Sequence, residues 1–238
     1  MILVFLITVV HVGWVIILDL LGLFDEVTGH KYRRSWARWN TWAMGVKVVE
    51  AQISEHNGAA LYVSNHRSLT DPIIQIPYFD AFIIAKNEVS HIPVVAKGAK
   101  MTGIVFVKRE SLSSRKDAKI QTANLLKGGK NILVYPEGTT TTDRTTQSFK
   151  PGTFKTSAEL GLPVIPVAIE YRDKKDFWFQ HGMFQQMLGQ LGAWRTEVKI
   201  HVGEPLYSKD SKELMGKSKS FIDDELQRMQ EGWSRVFD

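Results

Sequence analysis

Two side chains able to move a proton follow an apolar run. Residues 65–71 read Asn-His-Arg-Ser-Leu-Thr-Asp and come directly after Ala-Ala-Leu-Tyr-Val at 59–63, so that His66 and Asp71 lie five positions apart at a predicted strand exit. A histidine whose second ring nitrogen is held by a carboxylate can take a proton from a hydroxyl near neutral pH. The pair predicts general-base chemistry. Taken singly, Asp71 could instead be a helix N-cap before Pro72, and His66 a partly buried structural histidine.

A second segment ends in two cations. Residues 103–109 read Gly-Ile-Val-Phe-Val-Lys-Arg and place Lys108 and Arg109 at the exit of a predicted strand. The planar guanidinium of arginine grips phosphate, and a strand end fixes its position better than a mobile loop does. Cations at strand ends are also common on ordinary solvated surfaces. We expect Lys108 and Arg109 to bind an anionic part of a substrate.

A third segment adds an acid, a glycine and hydroxyls. Residues 134–140 read Val-Tyr-Pro-Glu-Gly-Thr-Thr and end another predicted strand. Gly138 permits close approach of a ligand to the backbone, and Glu137 could bind a substrate hydroxyl or orient a cation. We expect Glu137, Gly138 and Thr139 to contact substrate.

Lys150 and Gly152 stand at the start of a predicted helix. Free amides at a helix start, together with a lysine, form a usable anion site. A fourth segment, Leu-Pro-Val-Ile-Pro-Val-Ala-Ile at 162–169, carries no reactive side chain and is expected to form a wall of the site.

Short β-branched runs alternate with helical patterns beyond residue 45, which predicts an α/β fold with a mostly buried mixed sheet flanked by helices. The predicted strands are 46–53, 61–64, 82–85, 104–107, 132–135, 164–169 and 198–202. The predicted helices are 113–126, 151–160 and 211–237. Residues 177–194 are too apolar for a simple loop and either cover the core or contact lipid or an acyl chain.

The first 45 residues predict a membrane-anchoring helical hairpin, and residues 46–238 a single catalytic domain. Residues 1–18 hold no charged side chain, and as a helix the run to residue 24 is roughly 36 Å long, enough to enter or span a bilayer. A signal peptide and a buried core helix are the alternatives. Cations follow the run, which favours an anchor with the bulk of the chain on the cytoplasmic face; they are Lys31, Arg33, Arg34 and Arg38. Aromatic residues among these cations, Tyr32, Trp36, Trp39 and Trp42, are typical of a helix at the level of the lipid headgroups.

Composition limits the classes of function. The 238 residues contain no cysteine, which excludes disulfides, thiolate nucleophiles and cysteine-bound zinc. A net charge of +5 favours an anionic partner, namely nucleic acid, a phosphorylated metabolite or an acidic membrane face.

In order and spacing, the four segments resemble the blocks of the glycerolipid acyltransferase family, typified by 1-acylglycerol-3-phosphate acyltransferases. The family's blocks are NHxxxxD, GxxFxxR-like, PEGTR-like and VxPV-like, and here they run from Asn65 to Ile169. The N-terminal pair of runs also looks like the two-helix anchor of bacterial members. One position departs from the pattern: Thr140 stands where many phosphatidate-forming members have arginine, which leaves the acceptor headgroup open.

The resemblance implies an O-acyltransferase of phospholipid biosynthesis at a membrane, in bacteria the inner membrane. It would move a fatty acyl group from acyl-CoA or acyl carrier protein, as co-substrate, to the free hydroxyl of a lysophospholipid. The expected acceptor is 1-acylglycerol-3-phosphate, with a headgroup-bearing lysolipid as the alternative. His66 would be the base and Asp71 its orienting acid. No cofactor, metal or nucleic acid is expected.

Three rival classes remain. A hydrolase would need a nucleophile elbow such as GxSxG, which is absent, although Ser64 and Ser68 flank His66. A metalloenzyme could use His66, Asp71 and Glu137, but no HExxH motif supports it. A basic protein that only binds anionic lipid is the third, and its cations would be a scattered solvated surface.

Overall fold

The apolar N-terminal run forms one helix, α1 (Ile2–Leu20), and the tryptophan-rich run after it forms another, α2 (Glu26–Ala43), in a computed structural model of the protein. The structure describes residues 2–86, 103–107, 112–178 and 195–233. Asp25 caps α2 by accepting a hydrogen bond from the Thr28 amide at 2.7 Å. The indole of Trp36 donates to the Thr8 hydroxyl at 3.1 Å, so the helices pack as a hairpin.

Within the described ranges, α1 is the one helix long and apolar enough to cross a membrane. Its large side chains, such as Phe5 and Val10, each 66% exposed, mostly face away from the rest of the protein. The predicted hairpin therefore exists, and its role as a membrane anchor stays a prediction. The hairpin is also tied to the domain behind it, because Arg33 donates to the Asp80 carboxylate and Arg34 to the Pro77 carbonyl.

Seven strands and four further helices follow within the described ranges. The strands are β1 (Val46–Ile53), β2 (Leu61–Ser64), β3 (Phe82–Lys86), β4 (Ile104–Val107), β5 (Ile132–Val134), β6 (Val164–Tyr171) and β7 (Thr196–Val202). The helices are α3 (Asp71–Gln75), α4 (Leu112–Lys127), α5 (Gly152–Leu160) and α6 (Ser211–Gln230), with a 3₁₀ turn at Lys174–Asp176. Every predicted strand is present, within two residues of its predicted bounds.

The strands form a single sheet in the order β1-β7-β6-β2-β5-β3-β4. All neighbours pair in parallel except β6 and β7, which are antiparallel. The predicted mixed sheet is confirmed. Since β2, β5 and β6 run in the same direction, their carboxyl ends meet at one edge, where open α/β sheets bind their ligands.

Alternate side chains of each central strand enter two different cores. Tyr62 and Leu133 face α2 and α3, whereas Leu61 and Ile132 face α4, α5 and α6. β6 is buried along its whole length. Helices thus cover both faces of the sheet, as the fold prediction required.

Two helix ends differ from their sequence predictions, and one apolar segment lies mostly outside the described residues. α5 begins at Gly152, with Pro151 as its N-cap instead of within its first turn. α6 ends at Gln230, well before the predicted end at 237. Of the apolar stretch 177–194, only Phe177 and Trp178 lie within the described residues, and Phe177 is buried in the core beneath α2.

Candidate active site

Three chemistry-bearing segments leave the sheet at the same edge. His66 follows the end of β2 by two residues, Glu137 follows the end of β5 by three, and Tyr171 is the last residue of β6. Because β2 lies between β5 and β6, the segment that carries His66 is at the centre of this group.

Asn65 fixes the point at which the chain leaves β2. Its side-chain amide donates to the Ile169 carbonyl and accepts from the Ile169 amide, both at 2.9 Å. These two bonds continue the ladder between β2 and β6 beyond the last strand residue. The residue before His66 is therefore held to β6.

His66 and Asp71 form the predicted pair. The imidazole Nδ1 lies 2.7 Å from Asp71 Oδ2. Asp71 is fully buried, while the His66 side chain remains 16% exposed. With a proton on Nδ1 donated to the carboxylate, Nε2 is left as the acceptor nitrogen. The pair can therefore act as a base at Nε2, with Asp71 orienting the ring through Nδ1.

The Asp71 carboxylate accepts three further hydrogen bonds. Oδ2 accepts from the amides of Arg67 and Ser68 at 2.7 and 2.9 Å, and Oδ1 accepts from the Tyr171 hydroxyl at 2.6 Å. The helix-cap interpretation of Asp71 is wrong. The N-cap of α3 is Thr70, and Asp71 is the first helical residue, with its side chain turned back towards the preceding loop.

Tyr135 holds the imidazole from one side. The two rings are stacked with centroids 4.1 Å apart and an interplanar angle of 22°. The Tyr135 hydroxyl donates to Gln75 Oε1 at 2.9 Å, and Gln75 in turn donates to the Ser64 hydroxyl at 2.7 Å. Burial raises the pKa of Tyr135 well above its usual value, so the phenol stays protonated.

Glu137 joins two segments of the site. Its carboxylate accepts from the amides of His66 at 3.1 Å and Gln147 at 2.8 Å, one on each oxygen. Burial is the largest influence and raises the pKa of Glu137, although these two amides lower it. Both oxygens are engaged by backbone, so Glu137 fixes the loop around His66 in addition to any contact with substrate.

Arg67 is a fully buried cation beneath the loop that follows Glu137. Its guanidinium pairs with Glu170 Oε2 at 2.9 Å and donates to the carbonyls of Thr141, Asp143 and Arg144 at 3.1, 2.5 and 3.3 Å. Gln230 of α6 donates to the same Glu170 oxygen and to the Arg144 carbonyl. One side chain thus pins the backbone of 141–144 next to the histidine.

A cleft of about 360 Å³ opens beside this loop. The Thr141 amide donates to the His66 carbonyl at 2.9 Å, so one residue of the cleft lining is attached to the segment that carries His66. The residues lining it bear hydroxyl, amide, carboxylate and indole groups; they are Thr139, Thr140, Thr141, Thr142, Asp143, Gln147 and Trp178.

The predicted anion site lies at the same end of the sheet. Gly138 has φ of 75°, and a Cβ there would come within 2.1 Å of Lys150 Nζ, so the ammonium lies directly over the glycine backbone. Gly152 begins α5, with open space around its Cα. The structure therefore brings Lys150 to the Glu137–Thr139 segment. Lys108 and Arg109 lie outside the described residues.

The sequence model of the acyltransferase family matches residues 45–170, more than half of the chain and all the strands from β1 to β5. The chain belongs to the acyltransferase family. The resemblance seen in the four sequence segments is thereby confirmed.

Named relatives of this acyltransferase act on different lipids. A lyso-ornithine lipid O-acyltransferase of Pseudomonas aeruginosa is 36% identical over 159 residues, covering 63% of this chain and 60% of that protein. A 1-acyl-sn-glycerol-3-phosphate acyltransferase of Borreliella burgdorferi is 27% identical over 140 residues, with 57% and 56% covered. The chloroplastic LPAT1 of Arabidopsis thaliana is 34% identical over 111 residues, with 46% and 31% covered. The chain spans from about a third to three fifths of these relatives' lengths.

A solved structure has the same fold as this acyltransferase. The crystal structure of the 1-acyl-sn-glycerophosphate acyltransferase PlsC from Thermotoga maritima aligns with a TM-score of 0.68 and 22% sequence identity. The alignment covers 96% of this chain and 94% of that one. The predicted α/β architecture is confirmed.

Three side chains of this acyltransferase site escaped the sequence analysis: Arg67, Tyr135 and Tyr171. Each lies inside or next to a strand or motif that was otherwise interpreted as apolar or as a spacer. For Tyr171 the sequence held a signal, because polar residues at the end of a buried strand are unusual. Glu170 and Tyr171 end a strand whose other six residues are apolar. Arg67 carried no such signal, because a charged residue in a loop is ordinarily exposed.

Proposed function

We propose that the protein transfers a fatty acyl group from a thioester to the free hydroxyl of a lysophospholipid. The observation that carries this proposal is the buried Asp71 carboxylate, which lies 2.7 Å from Nδ1 of a histidine whose side chain stays 16% exposed. Such a pair activates a hydroxyl by accepting its proton, and the acyltransferase family provides the reaction in which a hydroxyl is the nucleophile.

The proposed reaction needs no covalent enzyme intermediate. Nε2 of His66 accepts the hydroxyl proton while the oxygen attacks the thioester carbonyl, and Asp71 stabilises the resulting imidazolium. The tetrahedral intermediate then expels the thiolate, which takes the proton from the imidazolium. The carbon–sulfur bond breaks, an oxygen ester forms, and His66 returns to its starting state. The donor, acyl-CoA or acyl carrier protein, is a co-substrate, and we propose that no resident cofactor takes part.

We propose 1-acylglycerol-3-phosphate as the acceptor. Two relatives carry that substrate in their names, one from a bacterium and one from a chloroplast. An anionic headgroup fits Lys150, whose ammonium lies over Gly138 at the end of the segment after β5. Arg109, at the predicted exit of β4, is the second proposed phosphate ligand.

A headgroup-bearing lysolipid is the second candidate acceptor. The cleft beside the loop 139–143 is lined by threonine hydroxyls and the Asp143 carboxylate, and its described lining includes no cation. Thr140, at the position where many phosphatidate-forming members have arginine, donates its hydroxyl to the Trp178 carbonyl. A neutral or zwitterionic headgroup suits this lining better than a phosphate dianion. The relative named for a lyso-ornithine lipid shows that the family acts on other acceptors.

We propose that the hairpin of α1 and α2 holds the enzyme at the cytoplasmic face of a membrane. The apolar exposed surface of α1 supports lipid contact. Exposed Lys31 and Arg38 on α2 favour the cytoplasmic side. Labelling of single cysteines introduced on α6 with a membrane-impermeant reagent, before and after permeabilising cells, tests the orientation. Labelling in intact cells would contradict it.

The central experiment compares full-length wild-type protein with His66→Asn and Asp71→Asn. Each is incubated in vesicles with acyl-CoA or acyl carrier protein donors and a panel of lysolipids, and products are identified by mass spectrometry. General-base catalysis is worth about 100- to 10,000-fold, so we expect His66→Asn to lose at least about 100-fold in kcat. Activity should survive exhaustive EDTA treatment.

His201→Asn is the matched control. His201 also pairs with a carboxylate, Glu225, at 2.8 Å, but it lies on the sheet face covered by α6. We expect its kcat to stay within a few-fold of wild type. Near-normal acyl transfer by folded His66→Asn would refute the mechanism. Product formed from lysophosphatidate but not from headgroup-bearing acceptors, or the reverse, decides between the two candidates.

A further inference from the structure

The two oxygens of Asp71 have different partners. Oδ2 accepts from Nδ1 of His66 and from the amides of Arg67 and Ser68. Oδ1 accepts from the Tyr171 hydroxyl at 2.6 Å. The amides and the imidazole belong to the same short loop, whereas Tyr171 comes from β6, a central strand of the sheet.

Tyr171 is placed as a fixed donor. It is 1% exposed, and its ring packs edge-on against Phe177 with centroids 6.1 Å apart. Burial, followed by the nearby Asp71 charge, raises the pKa of Tyr171 well above its usual value, so the phenol keeps its proton. The Thr70 hydroxyl lies 3.2 Å from the same phenol oxygen, which can accept from it while donating to Asp71.

We propose that Tyr171 is a positioning residue for acyl transfer, which fixes the rotation of the Asp71 carboxylate so that Oδ2 stays aimed at Nδ1 of His66. This inference rests on the proposed function of His66 and Asp71. The imidazole and two amides hold Oδ2 from one short loop, whereas Tyr171 holds Oδ1 from the sheet. Without the phenol, only the hydrogen bonds of that loop oppose rotation of the carboxylate about its Cβ–Cγ bond, and a rotated carboxylate lets the imidazole turn away from the substrate. Tyr171 acts through Asp71 and does not itself reach the reacting atoms.

Tyr62 offers a control outside the site. It lies on β2, is 3% exposed, and its ring stacks on Phe79 with centroids 4.3 Å apart. Tyr→Phe keeps a buried ring at either position and removes one hydroxyl. The two variants therefore differ in whether the lost hydroxyl is the one that donates to Asp71.

The kinetic test measures kcat and KM for wild type, Tyr171→Phe, Tyr62→Phe, Asp71→Asn and the Tyr171→Phe/Asp71→Asn double variant. Hydrogen bonds to charged groups are worth more than neutral ones, and we expect Tyr171→Phe to lower kcat about 10-fold or more, with KM within twofold. Tyr62→Phe should stay within about threefold of wild type. In the Asp71→Asn background the Tyr171→Phe change should cost nothing further, because the two residues act as one unit.

An NMR measurement tests the positioning role without requiring turnover. With ¹⁵N-labelled histidine, the Nδ1 proton of His66 gives a downfield NMR resonance that His66→Asn identifies by its absence. We expect Tyr171→Phe to shift or broaden this resonance and Tyr62→Phe to leave it unchanged.

The proposed function and the positioning role of Tyr171 would fail with different results. A wild-type protein with the downfield resonance and no acyl transfer overturns the proposed function, and the response of the resonance to Tyr171→Phe still decides the positioning role. An active enzyme in which Tyr171→Phe equals Tyr62→Phe in kcat overturns that role. The role is also overturned if Tyr171→Phe lowers kcat by the same factor in the wild-type and Asp71→Asn backgrounds. A merely structural loss adds independently of the carboxylate.

Discussion

Replacing Arg67 by methionine measures how far the loop beside His66 depends on one buried cation. The guanidinium is fully buried against Glu170 and three backbone carbonyls. Removing one partner of a buried ion pair costs about 3–5 kcal/mol, because the other charge stays buried without its counterion. Since whole proteins are stable by only about 5–15 kcal/mol, this loss is large. We expect Arg67→Met to lower the melting temperature by roughly 10 °C.

Urea unfolding in mild detergent, followed by tryptophan fluorescence, gives the free energy of unfolding. Lys119→Met is the control, because Lys119 pairs with Glu159 at 3.1 Å on the surface, with side chains 46% and 60% exposed. Exposed pairs contribute about 0–1 kcal/mol. The two variants remove the same charge and differ in burial.

The loss should also depend on pH. Burial raises the pKa of Glu170 even with Arg67 beside it. Without the guanidinium, the folded protein holds a proton on Glu170 at higher pH than the unfolded chain, whose glutamates titrate near about 4.3. Stability of Arg67→Met relative to wild type then falls as pH rises above that value, so the loss is smaller at pH 5 than at pH 8. A loss below about 1 kcal/mol at pH 8, equal to that of Lys119→Met, would refute this reasoning.

Two further predictions concern a buried acid and a glycine. Burial raises the pKa of Asp176 to about 6, so the folded protein binds the extra proton and stability falls as pH rises from about 4 to 6. Asp176→Asn should therefore melt higher than wild type at pH 7.5 but not at pH 4, and an equal difference at both would exclude ionisation as the cause. Gly138→Ala should cost about 1–2 kcal/mol in urea unfolding, because φ is 75° and the new Cβ meets Lys150. Gly152→Ala, which meets no atom within 4 Å, should change stability by less than about 0.5 kcal/mol, and equal losses would contradict this explanation.

The strands and the pairing of His66 with Asp71 were predictable from the sequence, because both depend on residues that lie close together in the chain. Apolar runs such as 61–64 and 164–169 need only a buried sheet to become strands, and they did. His66 and Asp71 are five residues apart, so one loop is enough to bring them together. Glu137 was placed correctly at the end of β5, but its two backbone partners required knowledge of two other segments.

Long-range polar contacts were not predictable. Tyr171 is 100 positions from Asp71, and Arg67 is 103 from Glu170, so their pairing depends on the strand order β6-β2-β5. The same dependence separates the two interpretations of Asp71. Asp before Pro is a good helix cap by local rules, and only the folded structure shows that the carboxylate accepts from a tyrosine and from two amides of the preceding loop instead.

The sheet order has a consequence for synthesis of the chain on the ribosome. β1 is an edge strand whose one strand neighbour among the described residues is β7, and Val46 pairs with Thr196, 150 positions later. At about 5–20 residues per second, β1 waits on the order of 10 s or longer for its partner. The α1–α2 hairpin precedes β1 and needs no later strand to form. We therefore expect the hairpin, in its proposed role as an anchor, to meet a bilayer while the sheet and the candidate site are still incomplete.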